Sequence, residues 1–302
     1  MQDPAQLYSM HQTEQELGHP VLIVGMTGFV DAGAAVRLSV DALLGQLPNQ
    51  PMVTFAVDEL LDYRSRRPIM VFAADHWEAY SEPVLAMHLV RDGAGVPFLL
   101  LTGPEPDLQW ERFTRAVVGL VERLGVRMTV GLNAIPMAVP HTRPTGMSAH
   151  ATRAALVAGY EPWVGTVQVP GSAAALLELR LGQAGHDAVG FAVHVPHYLA
   201  QMEFPTATIA LLQAVASCTG LALPVEALRE AAEQTQASVA AQVSQSEEVA
   251  GVVKALEEQY DAYAGSRTRA NLIAEPGAQL PTADELGAAF ERFLAEQGED
   301  EG

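Results

Sequence analysis

Val21-Leu-Ile-Val-Gly25 is a short apolar run that leads through Met26-Thr-Gly-Phe-Val-Asp31 into a helical pattern from about Ala32 to Leu47. Such a run, with no polar alternation, is the mark of a strand buried on both faces, as in a parallel sheet. Working outward, residues 52–57, 69–73, 84–90 and 98–102 read as further strands, with the polar segment 58–68 between the first two. Trp110, Phe113, Val117, Leu120, Val121 and Leu124 then recur at helical spacing, with Asp107 expected as the N-cap and Gly125 as the stop. Residues 126–132, 163–169 and 188–195 complete the set of strands, and Ser172 is expected to cap a helix that runs to Leu181. Strands alternating with helices predict an α/β protein whose mostly parallel sheet is covered on both faces.

From Pro224 the pattern changes. Leu228, Ala232, Thr235, Val239, Gln242, Ser246, Val249, Val253, Leu256, Tyr260 and Tyr263 alternate steps of four and three. Gln242 and Ser246 are poor seam residues, and Ser244-x-x-Glu247 matches a capping box, which favours two helices folded back on each other. The chain therefore divides into an α/β core over residues 1–222 and a helical hairpin or coiled-coil-like extension over 223–265. Residues 266–302 read as an extended arm, a terminal helix and an acidic tail.

Composition excludes several function classes. Seventeen Lys and Arg stand against 36 Asp and Glu, a formal charge of −19 in 302 residues, so nucleic-acid backbone and anionic membrane surfaces are repelled on average. The single cysteine, Cys218, lies in an apolar helical stretch and reads as a structural thiol. The first twenty residues hold Asp3, Glu14 and Glu16 with no continuous apolar core, so a cytoplasmic location is expected.

The polar signatures fall just after apolar runs. Gly25-x-x-Gly28-x-x-Asp31-Ala-Gly33 stands where a nucleotide-binding fold has its phosphate loop, yet matches neither Gly-x-Gly-x-x-Gly nor the Walker pattern. Asp31 would put a carboxylate at the helix N-terminus, using the potential that would otherwise attract phosphate. Segment 58–68 packs Arg64, Arg66 and Arg67 among Asp58, Glu59 and Asp62, which predicts an internal ion-pair lattice or a subunit contact. His141-Thr-Arg143-Pro144 follows a strand and a proline-rich loop, with His150 beyond it at an expected helix start. His194-Val-Pro-His197-Tyr198 ends the last strand. With Pro196 between them, His194 and His197 are poorly placed to share a metal, so no metal and no cofactor are expected. Asp31, Asp62, Arg64, Arg66, His141, Arg143, His194 and His197 are the candidate ligand or interface residues, at the strand ends where open α/β sheets bind.

Taken in order, Gly28-Phe-Val-Asp-Ala-Gly33, Asp62-Tyr-Arg-Ser-Arg-Arg-Pro68, Gly103-Pro-Glu-Pro-Asp107, His141-Thr-Arg-Pro144 and His194-Val-Pro-His-Tyr-Leu199 resemble an actinobacterial member of the proteasome assembly chaperone two family. The resemblance implies a phosphorylase-like, three-layer α/β/α core, self-association as a homo-oligomer, plausibly a trimer, and proteasome subunits as partners. It leaves a nucleoside phosphorylase-like small-molecule site at the strand ends as the alternative. Archaeal relatives dock on proteasome rings through a C-terminal hydrophobic-tyrosine-any residue tail, whereas this sequence ends Glu299-Asp-Glu-Gly302.

Overall fold

The apolar run at Val21 becomes the centre of the sheet, and its alternate side chains serve two separate cores. In the computed structural model, which describes residues 3–11, 17–28, 30–160 and 166–270, the elements are β1 (Tyr8–Met10), β2 (Val21–Thr27), α1 (Ala35–Gln46), β3 (Asn49–Phe55), β4 (Met70–Ala73), β5 (His76–Tyr80), β6 (Ala86–Arg91) and β7 (Pro97–Pro104). After them come α2 (Trp110–Arg123), β8 (Met128–Met137), β9 (Met147–Ala151), α3 (Ala173–Gln183), β10 (Ala188–Pro196), α4 (Pro205–Thr219), α5 (Arg229–Ser244) and α6 (Glu247–Ala270). Eight strands form one sheet in the order β1-β3-β6-β7-β2-β8-β10-β9. β7, β2, β8 and β10 are mutually parallel, β3 runs the same way, and β1, β6 and β9 oppose them. The sheet is thus mixed and mostly parallel.

Val21 and Ile23 face a core closed by Val36, Val40 and Leu43 of α1 and by Leu211, Leu212 and Val215 of α4. Leu22 and Val24 face the opposite core, with Phe113, Val117 and Leu120 of α2 and Leu177 and Leu181 of α3. This is the three-layer α/β/α arrangement. Each such side chain, buried to within a few per cent, contributes about 1.5–3 kcal/mol by leaving water.

Four local expectations give way to tertiary context. Residues 69–73 do not join the main sheet; β4 pairs only with β5, in a separate two-stranded hairpin. The expected strand at 163–169 lies partly outside the described residues, and 166–169 belong to no strand. Its place beside β10 is taken by β9, so His150 sits on a strand and not at a helix start. Met147, Ala149 and Ala151 pack on the α1/α4 core, and this period of two over five residues is what makes a strand. Asp107 does not cap α2, which starts after Gln109 in the left-handed region (φ 55°), because its carboxylate is held elsewhere by Arg66 and the Asp62 N–H. The caps at Ser172, whose Oγ accepts from Ala175 N at 3.1 Å, and the stop at Gly125 (φ 63°) form as expected.

After α4, the seam breaks where Gln242 is exposed, and α5 and α6 pack as two helices, α5 also against α4. Ala232, Val239, Val253 and Leu256 are its buried members. Ser246, not Ser244, caps α6 by accepting from Val249 N at 3.3 Å. α6 continues through Gly265 to Ala270, an interior glycine costing about 1 kcal/mol relative to Ala. The expected helix at 284–294 and the acidic tail lie outside the described residues. Among the described residues no helix is long and apolar enough to cross a membrane.

Phe113 of α2, fully buried against Phe55 of β3 (ring centroids 5.2 Å apart), tests the second core. Phe113→Ala is expected to lower the free energy of unfolding by about 3–5 kcal/mol, read as a lower urea midpoint at unchanged slope.

Candidate functional site

The parallel strands β7, β2, β8 and β10 point their carboxyl ends the same way, and the polar motifs gather along that edge. They do so in four groups with different partners.

The first joins the ends of β2 and β7. Arg66 donates from Nη1 to the Glu105 carbonyl at 3.0 Å, and its Nη2 lies 2.7 Å from Asp107 Oδ1. The other oxygen of Asp107 accepts from Asp62 N at 2.9 Å, while Asp62 Oδ1 accepts from Arg64 N at 2.9 Å. The guanidinium lies over Gly28 (φ 146°), where a Cβ would come within 2.7 Å of Nη1 and push it aside, while the backbone conformation itself calls for glycine. No ion pair joins two residues of segment 58–68 among the described residues: Arg66 pairs with Asp107 and Glu59 with Arg112, both outside it. Arg64 and Arg67 are exposed, with side chains that have no partner among the described residues.

The second group is Asp31 alone. Its Oδ1 accepts from Val36 N at 2.7 Å and its Oδ2 from Arg37 N at 3.0 Å, so both oxygens are consumed by the first amides of α1. Gly33 and Ala34, both left-handed (φ 66° and 51°), turn the chain so that Asp31 can reach them.

The third group ties α6 to the loop after β8. Arg143 holds Asp261 with two bonds, Nε to Oδ1 at 2.8 Å and Nη2 to Oδ2 at 2.7 Å, and approaches Glu257 at 3.3 Å. Glu257 also accepts from Thr142 Oγ1, and Tyr260 Oη donates to the Pro144 carbonyl at 3.1 Å. Asp261 is held below the usual carboxylate range by its bond to Arg143, whose own pKa rises in return. Behind them, Tyr198 Oη accepts from His141 N at 2.9 Å and lies 2.7 Å from His141 Nδ1. Burial pushes the Tyr198 hydroxyl up to about 12 and His141 down, with Glu257 opposing the latter. His197 stacks edge-on against Tyr198 with centroids 5.5 Å apart.

In the fourth group His194, 1% exposed, has Nε2 2.8 Å from Ser148 Oγ of β9. Burial lowers its pKa to about 4, so the imidazole is neutral at physiological pH.

Asp31, Arg64, His141 and His194 thus do not share partners: Asp31, His141 and His194 are held in separate contacts, and Arg64 is exposed. Sequence reasoning missed Ser148, whose pairing with His194 needs β9, and the carboxylates Glu257 and Asp261, which sit more than a hundred residues from Arg143. Among the described residues no group of three or more His, Cys, Asp or Glu is arranged to hold a metal ion. Cys218 is half-buried, and burial raises its thiol pKa, which leaves less thiolate.

A three-layer α/β/α scaffold whose strand-end polar residues are largely engaged with its own backbone and helices defines a class known for binding at that edge. The PAC2 family model matches residues 25–243, and the chain belongs to that family. A Mycobacterium tuberculosis protein of unknown function, Rv2714, is 49% identical over 90% of this chain and 94% of its own, with a TM-score of 0.85. A Corynebacterium glutamicum protein of unknown function is 41% identical, covering 86% and 99% of the two chains at a TM-score of 0.81. A Mycobacterium tuberculosis proteasome-assembly chaperone homologue, Rv2125, is 26% identical, covering 77% and 99%, at a TM-score of 0.71. No curated protein matches the chain.

Two measurements test these assignments. Because the folded pKa of His194 lies below its unfolded value near 6.5, the unfolded chain binds the extra proton between these values. Its contribution is complete above about pH 6.5 and is lost as pH falls toward 4, with a slope of at most about 1.4 kcal/mol per pH unit. His194→Gln should flatten the fall in urea midpoint between pH 7 and pH 4.5. Arg143→Ala should speed proteolytic release of α6 while leaving the core fragment intact, as seen by mass spectrometry.

Proposed function

We propose that this chain is a proteasome-related interaction protein that works as a homo-oligomer. The observation that carries the reading is the β4–β5 hairpin. Ile69, Met70, Val71, Phe72, Trp77 and Tyr80 are each between 47% and 73% exposed, and Phe72 and Trp77 stack on each other with centroids 5.0 Å apart. A concentration of large apolar side chains on a two-stranded element, in a chain of net charge −19, is the surface of a protein that covers it with a partner. A hairpin outside the main sheet is also marginal by itself. Arg64 and Arg67, exposed on the loop leading into the hairpin, supply cations that suit a carboxylate-rich partner surface, including a second copy of this chain. Family membership and the likeness to a proteasome-assembly chaperone homologue support proteasome core-particle subunits as the further partner.

The nucleoside phosphorylase-like alternative is not favoured. Two of the helix N-termini at the carboxyl edge, those of α1 and α3, already hold the carboxylates of Asp31 and Glu105.

Light scattering coupled to size exclusion tests the first part. Wild type is expected to run as an oligomer, and Phe72→Glu with Trp77→Glu as a monomer with little change in the thermal midpoint of the α/β core. A monomeric wild type at micromolar concentration counts against self-association. Recovery of core-particle subunits with the tagged chain from native cells, lost in the double variant, supports the proteasome role; their absence from the wild-type eluate removes it.

A further inference from the structure

A cleft of about 100 Å³ opens on the α2/α3 side of the sheet, apart from the hairpin and from α6. Its floor lacks side chains of its own: Gly131 of β8 lies directly opposite Gly190 of β10, and only the Gly190 end is covered, by the His150 ring. The walls carry Glu105, Asn133, His150 and Glu178.

Glu105 is only 6% exposed. One of its oxygens, Oε1, accepts from Ala173 N at the start of α3; the other has no partner among the described residues, and no cation lies within salt-bridge distance of the carboxylate. The nearest guanidinium, that of Arg66, is turned to the Glu105 backbone carbonyl and not to its side chain. Glu178 has a partner of its own: His150 Nδ1 lies 2.8 Å from its Oε1, and that bond raises the His150 pKa. The imidazole lies flat over Gly190, where a Cβ would come within 2.0 Å of Cε1. Asn133 turns its Oδ1 to its neighbour's amide, Ala134 N, at 2.8 Å, which leaves the Nδ2 donors without a partner among the described residues. The cleft therefore combines a largely buried carboxylate, one oxygen of which has no partner among the described residues, with the Nδ2 donors of Asn133. Its complement is a cation that carries a hydrogen-bond acceptor close by.

We propose that this cleft binds the ammonium or guanidinium head group of a compact ligand, with Glu105 as its counter-ion and Asn133 Nδ2 donating to the acceptor beside it. The volume lies below the roughly 300–1,000 Å³ of pockets for drug-sized molecules, which fits a head group and excludes a nucleoside. The same chemistry is offered by a free amine or guanidine and by an arginine or lysine side chain of a partner protein.

The test uses the full-length chain, isotope-labelled, titrated with agmatine and, separately, with N-acetyl-arginine N-methylamide, following the amides of Gly131 and Gly190. Saturable shifts are expected at both glycines. Glu105→Gln should weaken binding about tenfold or more, equivalent to about 1.4 kcal/mol per decade. Gly131→Ala provides a second variant that keeps the fold, since a Cβ there meets nothing closer than 3.8 Å, and it should block binding by filling the floor. Glu82→Gln, at an exposed carboxylate outside the cleft, should bind as wild type does. Tighter binding of agmatine assigns the site to a free amine, and tighter binding of the blocked arginine assigns it to a partner's side chain. Absence of saturable shifts for both probes up to about 10 mM, or equal affinity in wild type, Glu105→Gln and Gly131→Ala, overturns the proposal.

Discussion

The structure depends on the double burial of β2. Val21 and Ile23 belong to one core and Leu22 and Val24 to the other, so neither helical layer can be removed without exposing half of the central strand. From this follow the parallel partners β7 and β8 on either side, the crossover helices that cover both faces, and the placing of all four parallel carboxyl ends on one edge.

That edge is where α/β proteins bind, yet here it is in large part occupied by the chain itself. Asp31 takes the first amides of α1, Glu105 takes that of α3, and Arg66 closes over Gly28 to bind the Glu105 carbonyl and Asp107. Carboxylates at helix N-termini gain from the dipole and in doing so repel phosphate. What is left uncompensated is correspondingly informative: one oxygen of Glu105 within a cleft, two exposed arginines, and the apolar hairpin beside them. The carboxylate oxygen is suited to a cation, the arginines to an oxyanion, and the hairpin to an apolar surface.

Local signals were legible wherever the interaction is short in sequence. Ser172 capping α3, Gly125 ending α2 and Asp31 at the start of α1 involve residues at most six apart, and composition with turn chemistry suffices for each. The charges of segment 58–68 signal ion pairing, but the partner of Arg66, Asp107, lies outside the segment and reads locally as a helix cap. No local rule could reveal that Arg66, forty-one positions earlier, would claim it. The strand at Met147–Ala151 escaped notice for a similar reason. Five residues of mixed polarity become a strand only because β10 offers an open edge, and with that strand came the placements of Ser148 and His150.

The amino-acid sequence by itself determined the alternation of strand and helix, the two-sided burial of the central strand, the break between α5 and α6, the excess of negative charge and the ordered motifs of the PAC2 family, because each rests on periodicity, composition or near neighbours. Tertiary structure alone decided that β4 leaves the sheet to form an exposed hairpin, that Arg143 holds α6, and that the candidate histidines are spread over separate contacts while Glu105, Asn133 and His150 share one cleft. These are matters of which edge and which face each strand presents, set by packing between segments that are not neighbours in sequence and so invisible to any window of local sequence.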